Sequence, residues 1–259
     1  MNIRLADKKL LIEVATPVLA LVAWGIYSTK FPSLYFPPLI NILQAFVDGW
    51  FSDRIVSDVV PSLIRLTAGY FIGCTGGIFI GVALGMSPTL RTAFDPVVQF
   101  LRSIPPPAML PFGMLVLGVG DLMKISIIAF VCLWPVVLAA IDGVRGADQI
   151  QLDTARAYNI SQRDVLWRVV LPAASPQIVA GMRISLSLAI ILMVISEMVS
   201  STNGVGFFII QAQSNFAIPE MWSGIILLGI FGYGLNAAFS LFESRILRWH
   251  RGARAIERN

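Results

Sequence analysis

Charged side chains inside apolar runs are the residues of this sequence most able to do chemistry. Glu197 is the one acid well inside such a run, and Arg102 and Arg183 lie within or next to other runs. A charge in a lipid bilayer is costly and usually marks an ion or solute path, or an ion pair. Arg102, the adjacent Ser103, and Arg183 are therefore candidates to line a path for an anion, and Glu197 is a candidate gate or solute contact.

Each of these residues also has a structural interpretation. The two arginines can anchor helix ends by reaching toward lipid headgroups, and Glu197 can form an ion pair or accept backbone hydrogen bonds. At a rise of 1.5 Å per residue, Glu197 lies about 30 Å from the start of its predicted helix, whereas Arg102 lies only about 10 Å from the start of its own. We therefore predict that Arg65 or Lys124, and not Arg102, is the partner of Glu197.

The sequence contains few residues that could bind a metal ion or act in nucleophilic catalysis. The single histidine is His250, in a basic tail, and the two cysteines, Cys74 and Cys132, lie in apolar runs. A zinc site or a histidine-based triad needs more such residues, and the sequence contains no Gly-x-x-x-x-Gly-Lys-Ser/Thr loop to cradle a nucleotide. We expect this chain to bind no cofactor and to catalyse no reaction itself.

The elements that position these residues are membrane helices. Hydrophobic residues make up 56% of the 259 residues and charged residues 13%, whereas soluble domains carry about 25% charged residues. Since about 20 apolar residues span a bilayer as a helix, the sequence predicts an all-α membrane protein with about six spans. They are Val14–Thr29, Leu66–Leu90, Ser103–Gly120 extended back to Pro96, Ile125–Ile141, Ile184–Ser196 with its flanks, and Met221–Phe242.

Two of these spans have unusual features. Glycine recurs every fourth residue over Gly69–Gly85, which predicts a smooth stripe for close helix packing. In the third span, Asp95–Pro96 is a suitable helix start, but Pro105–Pro107 and Pro111 cannot continue a regular helix. Broken backbone at membrane depth is tolerated where protein or a water-filled cavity covers it, so this break is a first indication of a transport path.

Basic residues are concentrated on one side of the predicted bundle. With six spans and a cytoplasmic N-terminus, 13 of the 19 lysines and arginines fall on the cytoplasmic side, as the positive-inside rule requires. Both termini are therefore predicted to be cytoplasmic, and topology rather than nucleic-acid binding accounts for the positive charge. The 13 residues are Arg4, Lys8, Lys9, Arg91, Arg145, Arg156, Arg163, Arg168, Arg245, Arg248, Arg251, Arg254 and Arg258.

Two segments on the opposite side are long enough to fold. Residues 30–60 include an amphipathic stretch near Ile40–Phe51, and Thr202–Glu220 includes an apolar patch at Phe207–Ile210. The second segment predicts a short interfacial or re-entrant helix.

The longest cytoplasmic loop, Asp142–Pro176, has a helical pattern of its own. Asp148–Tyr158 predicts a short helix, and Asn159 suits the left-handed conformation that ends helices. Ser161–Asp164 resembles a capping box that opens a second helix, which we expect to stop at Leu171–Pro172. The apolar residues of this loop have no lipid to face, so a partner protein or the rest of the chain must cover them.

This loop resembles the EAA loop of binding-protein-dependent ABC importer permeases. That pattern is Glu-Ala-Ala, three residues, Gly, nine residues, Ile, one residue, Leu-Pro, and every spacing is matched. The corresponding residues are Asp153, Thr154, Ala155, Asn159, Val169, Leu171 and Pro172. The four departures from the consensus, at Asp153, Thr154, Asn159 and Val169, are chemically mild.

Further stretches are similar to one branch of that family, the nitrate, sulfonate, taurine and bicarbonate permeases. The similarity covers nearly the whole chain, from about Val14 to Trp249, and implies one transmembrane domain with the type I importer (MetI-like) fold. The stretches are Ala83–Pro96, Leu101–Pro106, Ala108–Pro111, Gly118–Gly120, Gly181–Arg183 and Glu197.

The resemblance implies a set of partners in a bacterial inner membrane. Two permease copies form a homodimer, two ABC ATPase subunits bind ATP and Mg²⁺, and a periplasmic or lipid-anchored binding protein delivers a small solute. The loop then couples to the ATPase, although Asp153 and Arg156 are also interpretable as ordinary solvated charges. The implied coupling residues are Asp153, Thr154, Ala155, Arg156, Ala157, Asn159, Leu171 and Pro172.

Several alternatives stay open at this stage. The expected solute is an anion or zwitterion such as a sulfonate, taurine, nitrate or bicarbonate, and the alternative within the family is a vitamin, a thiamine precursor-like compound or an aromatic solute. A stand-alone secondary transporter would also use broken helices, but no inverted repeat is visible between the two halves. A membrane scaffold is the third possibility, and the spacing of the EAA pattern argues against both of these.

Overall fold

The structure, a computed structural model, describes the backbone of residues 2–31, 33–51 and 54–248, and within these ranges the side chains from residue 15 onward except residue 17. The regular elements in this part of the chain are all helices. They are α1 (Asn2–Lys30), α2 (Leu39–Trp50), α3 (Val60–Met86), α4 (Pro88–Arg102), α5 (Leu110–Leu117), α6 (Asp121–Arg145), α7 (Gln149–Ala157), α8 (Gln162–Val165), α9 (Leu171–Ser200), α10 (Val205–Ser214) and α11 (Ile218–Ile246). Wider π-helical turns, Ile55–Val59 and Leu166–Val170, lead into α3 and α9, and a 3₁₀ turn, Pro106–Met109, leads into α5.

Four helical runs of the described chain are long and apolar enough to cross a membrane. They are Ile55–Met86, Asp121–Arg145, Gln162–Ser200 and Ile218–Ile246. The last three contain the fourth, fifth and sixth predicted spans. The first contains most of the second predicted span, Leu66–Leu90, but ends four residues earlier, at Met86. Pro88–Arg102 and Pro106–Leu117 make a fifth if the pair is one span bent by 88°. The first predicted span falls in α1, where some side chains lie outside the described residues, so the count of six stays a prediction.

The glycine stripe of α3 packs directly against α6. A Cβ added at Gly69 would lie 2.7 Å from Ile128 Cβ, and one added at Gly85 would lie 2.8 Å from Val144 Cβ. Both pairs differ by 59 positions along the chain, so α3 and α6 run parallel and keep one line of contact. The prediction that the stripe serves close helix packing is confirmed.

α9 packs against the same helix in the opposite direction. A Cβ added at Gly181 would lie 2.5 Å from Ala139 Cβ, and Ser185 Oγ donates to the Cys132 carbonyl at 2.6 Å. α9 therefore ends where α3 and α6 begin. We call this the network end, after the ionic network around Glu197 described below, and we call the opposite end, where α6 ends and α9 begins, the loop end.

Short helices cover the network end. The predicted amphipathic stretch forms α2, and the predicted short helix after Thr202 forms α10, which packs against α9 and α11. Trp50, the last residue of α2, donates from Nε1 to Ser223 Oγ of α11 at 3.2 Å. The ring of Trp50 also meets Phe208 of α10 edge to face, with centroids 4.7 Å apart. These contacts fix α10 between α2, α9 and α11.

The predicted start of the third span is wrong. α4 begins at Pro88, and Ser87 Oγ caps it by accepting a hydrogen bond from Leu90 N at 3.3 Å. Asp95 and Pro96 lie inside this helix. The physical reason is that Ser87 and Pro88 offer the same combination of a capping side chain and an early proline, eight residues earlier.

The predicted stop at Leu171–Pro172 is also wrong. Helical backbone continues from Gln162 to Ser200 through this point. The π-helical turn Leu166–Val170 precedes Pro172, and its wider backbone accommodates a residue that has no N–H to donate. The second half of the loop is therefore continuous with the following span.

Candidate functional site

The broken span borders a cavity of about 590 Å³, which we call the central cavity. Its walls are the break at Leu101–Ile104, the face of α6 from Phe130 to Asp142, and the face of α9 from Gln177 to Leu188. At 1.5 Å per residue, the α6 wall is about 18 Å long. Because Asp142 is near the end of α6, the cavity extends from the loop end to the middle of the bundle.

Two predicted path residues line the central cavity. Arg102 and Ser103 both lie in its wall, where Arg102 Nε donates to Gln99 Oε1 at 2.8 Å and Ser103 Oγ donates to the Gln99 carbonyl at 2.7 Å. The Asp142 carboxylate and the Gln177 amide lie in the wall nearer the loop end. The break in the helix therefore brings a cation and a hydroxyl to a cavity whose wall also holds the Asp142 carboxylate, nearer the loop end.

Glu197 lies elsewhere, in a buried ionic network at the network end. The Glu197 side chain is fully buried, and the Arg65 side chain is only 4% exposed. Arg65 Nη1 donates a hydrogen bond to Glu197 Oε1 at 2.8 Å. Arg65 Nε also donates to Asp121 Oδ1 at 2.7 Å, and Lys124 Nζ lies 4.0 Å from that oxygen. The prediction that Arg65 or Lys124 pairs with Glu197 is confirmed for Arg65, and Arg102 is not part of the network.

The same carboxylate fixes the start of α10. Glu197 Oε2 accepts a hydrogen bond from Gly206 N at 3.0 Å. Ser62 Oγ lies 2.8 Å from Glu197 Oε1 and accepts from Val205 N at 3.0 Å. Gly204 has a φ of 116° and leaves no room for a side chain, since a Cβ there would lie 2.5 Å from the Glu197 carboxyl carbon. The geometry assigns Glu197 to holding α3, α9 and α10 together.

Arg183 is directed away from the central cavity. It forms an ion pair with Glu243 of α11, and its guanidinium carbon lies 5.9 Å from the centre of the Phe239 ring. Arg183 therefore joins α9 to α11. Of the four predicted path residues, the structure brings together Arg102 and Ser103 and places Arg183 and Glu197 in separate ion pairs.

The predicted loop has the expected helix–turn–helix geometry. Asp148 caps α7, its Oδ1 accepting from Ile150 N at 2.9 Å. Asn159 has a φ of 51°, and the bonds Ile160 N to Ala155 O and Asn159 N to Arg156 O, both 3.0 Å, close a Schellman turn around it. The left-handed conformation predicted for Asn159 is confirmed.

Of the capping box predicted for the second helix, the Ser161 cap is present. Ser161 Oγ accepts a hydrogen bond from Asp164 N at 3.1 Å, and the Ser161 hydroxyl lies 2.6 Å from Asp164 Oδ2. The Ser161 side chain thus satisfies an N–H at the start of α8, and the Asp164 carboxylate meets the Ser161 hydroxyl instead of its backbone N–H.

The coupling residues predicted on α7 fall on two faces. Ala155 is only 3% exposed, and Leu152 packs against the core cluster that includes Ala174 and Ile178 of α9. On the opposite face, Asp153, Ala157 and Ile150 are exposed, the last to 75%. α7 therefore packs one face on its own chain and presents the other for contact.

Asn159 gives a first testable prediction. Replacing it with alanine is expected to cost about 1–2 kcal/mol, because an alanine Cβ in the left-handed region crowds the following carbonyl oxygen. Glycine has no Cβ and is expected to leave stability unchanged or slightly higher. Thermal unfolding of the purified chain compares the two variants. Equal midpoints for Asn159→Ala and Asn159→Gly would show that the turn does not constrain this residue.

Several site residues were missed by sequence reasoning. Asp58, Ser62 and Asn203 hold the network end, with Asn203 Oδ1 2.5 Å from Arg65 Nη2, and Trp134 lies in the wall of the central cavity. In a sequence, small polar residues and a tryptophan in apolar surroundings do not by themselves indicate a functional site. In the sequence, only Gly204 and Gly206 could have indicated that the backbone at the start of α10 approaches the Glu197 side chain closely.

The comparisons with known proteins all point to one family. Residues 73–249 match the family described as binding-protein-dependent transport system inner membrane component. The taurine transport system permease protein TauC of Escherichia coli (strain K12) is 28% identical over 94% of this chain and 91% of that protein. The nitrate import permease protein NrtB of Leptolyngbya laminosa is 31% identical over 80% of this chain and 74% of its own length.

A solved structure supports the same fold. Inward-facing MetNI methionine ABC transporter superposes with a TM-score of 0.64 at 19% identity, and the match covers 79% of this chain and 97% of that chain. The predicted MetI-like architecture is thus confirmed.

Proposed function

This chain belongs to the family of binding-protein-dependent transport system inner membrane components, and from that premise we propose how it moves its solute. It is a multi-pass inner-membrane permease subunit of an ABC importer. We assign the central cavity to the half of the solute path nearer the loop end, with Arg102 and Ser103 in its wall. Glu197 and Arg183 stabilise the framework around that path.

The proposed solute is small and carries an oxyanion, as sulfonates, taurine and nitrate do. Arg102 supports this choice because its guanidinium, placed at a break in the span, attracts an anion, whereas the Asp142 carboxylate lies nearer the loop end of the cavity. Proteins similar to this one are named for taurine transport and nitrate import. The loop end faces the cytoplasm in this proposal, which agrees with the distribution of lysine and arginine.

The observation that carries the coupling proposal is the two-faced helix α7. Its inner face packs on the core of this chain, and its outer face exposes Ile150 at the loop end. Nearby Tyr158 is also 78% exposed. Exposed apolar side chains without lipid around them need a protein partner, and we assign that partner as an ABC ATPase subunit that binds ATP and Mg²⁺. A second permease copy and a solute-binding protein complete the importer.

A charge placed on the outer face of α7 tests this coupling. Ile150→Asp is expected to reduce both co-purification with the cognate ATPase and solute-stimulated ATP hydrolysis by about tenfold or more, because it buries an unpaired carboxylate in the interface. Gln151→Asp is the matched control. It adds the same charge one residue further along α7, at another exposed position.

Both substitutions lie in the first turn of α7, where an acidic side chain is compatible with the helix dipole. A difference between them therefore reports the interface and not the helix. If Ile150→Asp and Gln151→Asp retain the same ATPase binding and activity, α7 is not the docking element.

A further inference from the structure

A second cavity lies at the loop end, and two arginines line it. Its volume is about 830 Å³, and we call it the arginine cavity. Arg145 belongs to the last turn of α6, and Arg156 belongs to the last turn of α7. Met86 and Pro88, where α3 ends and α4 begins, form another part of the wall, and Leu152 of α7 adds an apolar side chain. Among the described residues, no carboxylate lines this cavity.

The chain itself neutralises only part of the positive charge of this wall. Arg156 Nη1 donates to Asp153 Oδ1 at 3.0 Å, but Asp153 lies outside the wall and both side chains are exposed. A guanidinium has five N–H donors, so most donors of Arg156 stay available. Arg145 has no ion-pair partner among the described residues. The amides of Gln149 and Gln162 line the same cavity and add further N–H donors. The chemistry of this wall therefore suits an anion.

Helix α4 places the arginine cavity at the edge of the bilayer. α4 begins in the cavity wall at Pro88 and then carries Leu90, Phe94 and Val97, which are three or four residues apart and exposed. Residues at this spacing share one side of a helix. In a membrane protein, an exposed apolar side of this kind is covered by lipid tails. The arginine cavity lies just before that side begins, at the level where lipid tails end and headgroups begin.

The arginine cavity is on a different side of α7 from the proposed ATPase contact. Gln149, Leu152 and Arg156 line the cavity and share one side of the helix. At about 100° per residue, the side chains of Ile150 and Arg156 point about 120° apart around the helix axis. Ile150 and Ala157 are exposed and do not line the cavity. An ATPase on the outer face of α7 therefore does not by itself fill it.

We propose that the arginine cavity binds the phosphate of an anionic phospholipid between Arg145 and Arg156. Guanidinium groups suit phosphate because they combine a permanent charge with paired N–H donors. Basic pockets between membrane helices on the cytoplasmic side bind lipid headgroups, and this inference rests on the proposed function for placing the loop end on that side. Met86 and Leu152 provide apolar contacts for the start of the acyl chains. A bound phosphate also relieves the repulsion between the two arginines, and so it ties α7 to α6.

Thermal unfolding of the full purified chain in neutral detergent measures this binding. Dihexanoyl phosphatidylglycerol is expected to raise the unfolding temperature in a saturable manner, because a ligand of the folded state stabilises that state. Dihexanoyl phosphatidylcholine has the same acyl chains and no net charge, and it is expected to have no effect. Glycerol phosphate has the phosphate without acyl chains, and it is also expected to have no effect. An equal rise with phosphatidylcholine overturns the recognition of charge, and an equal rise with glycerol phosphate overturns the lipid as the source of the phosphate.

Substitution of Arg145 tests the site. Arg145→Gln is expected to raise the half-saturating concentration of phosphatidylglycerol about tenfold, as for loss of a charge-assisted hydrogen bond. Arg163→Gln is the matched control, since Arg163 is exposed at the same end of the bundle but does not line the cavity. It is expected to retain the wild-type affinity. Equal affinities in the two variants overturn the proposal, because general surface charge and not a defined cavity then accounts for any binding.

Native mass spectrometry gives a readout that does not depend on stability. From an equal mixture of the two lipids, the wild-type chain is expected to retain phosphatidylglycerol, and Arg145→Gln is expected to lose it. Retention of neither lipid by the wild-type chain overturns the inference and leaves the importer assignment intact, because both measurements use the permease alone. Failure of the Ile150→Asp test would contradict ATPase coupling and leave the lipid site intact. If Arg145→Gln retains the lipid but loses co-purification with the ATPase, Arg145 is a protein contact and the proposal is overturned.

Discussion

Replacing Glu197 with alanine is expected to destabilise the chain by about 3–5 kcal/mol. The substitution leaves the Arg65 guanidinium buried without its 2.8 Å partner, and removing one member of a buried ion pair has a cost of this size. It also removes the acceptor of Gly206 N at the start of α10. Reversible unfolding of the purified chain in mixed micelles measures the loss.

Two comparisons show whether the buried pair is responsible. Asp153→Ala breaks the exposed pair with Arg156, whose side chains are 66% and 70% exposed, and exposed pairs contribute under about 1 kcal/mol. The double variant Arg65→Met with Glu197→Leu removes both buried charges and is expected to recover part of the loss. If it is instead as unstable as the sum of its single variants, the two residues do not act as a pair.

Replacing Gly73 with alanine is expected to destabilise the α3–α6 contact by about 2 kcal/mol. The added Cβ would lie 2.5 Å from the Ala129 carbonyl oxygen and 2.7 Å from Cys132 Cβ. Backbone cannot rotate out of the way as a flexible side chain can, so the two helices must separate. Overpacking of this kind costs about 1–3 kcal/mol. A lower unfolding temperature of the purified chain is the expected observation.

Gly76→Ala is the matched control for that prediction. Gly76 lies on the same helix, but a Cβ there would meet only Leu133 Cδ1, at 3.5 Å, which is an ordinary contact. Alanine is favoured over glycine in a helix by about 1 kcal/mol. The two substitutions are therefore expected to change stability in opposite directions. Equal effects would mean that the stripe does not determine helix packing.

Much of the architecture was predictable from the sequence because its causes are periodic or local. A four-residue repeat of glycine places all its members on one face, and it predicted the α3–α6 contact without knowledge of which helix would approach. The left-handed turn at Asn159 follows from neighbouring residues alone. The Glu197–Arg65 pair was predictable because helix rise converts sequence position into depth.

The remaining features depend on contacts between distant segments. Ser62 and Arg65 of α3 and Gly206 of α10 meet at Glu197 of α9, and no short pattern encodes that meeting. The start of α4 was misplaced because two capping signals of similar quality, at Ser87 and at Asp95, compete within one stretch. It was also not evident that Ala155 lies on the buried face of α7, since the sequence does not show which side of this helix packs against the rest of the chain.

The unbroken helical run Gln162–Ser200 has a mechanical consequence. Its 39 residues are about 58 Å long at 1.5 Å per residue. The end near Ser200 is tied by the buried Glu197 carboxylate, while the end near Gln162 carries the turn around Asn159. The run is therefore a lever arm held at one end by a buried ion pair and at the other by apolar packing that includes Val170. A tilt of only about 5° about the Ser200 end moves the Gln162 end, with its apolar packing, through about 5 Å, close to the pitch of one helical turn.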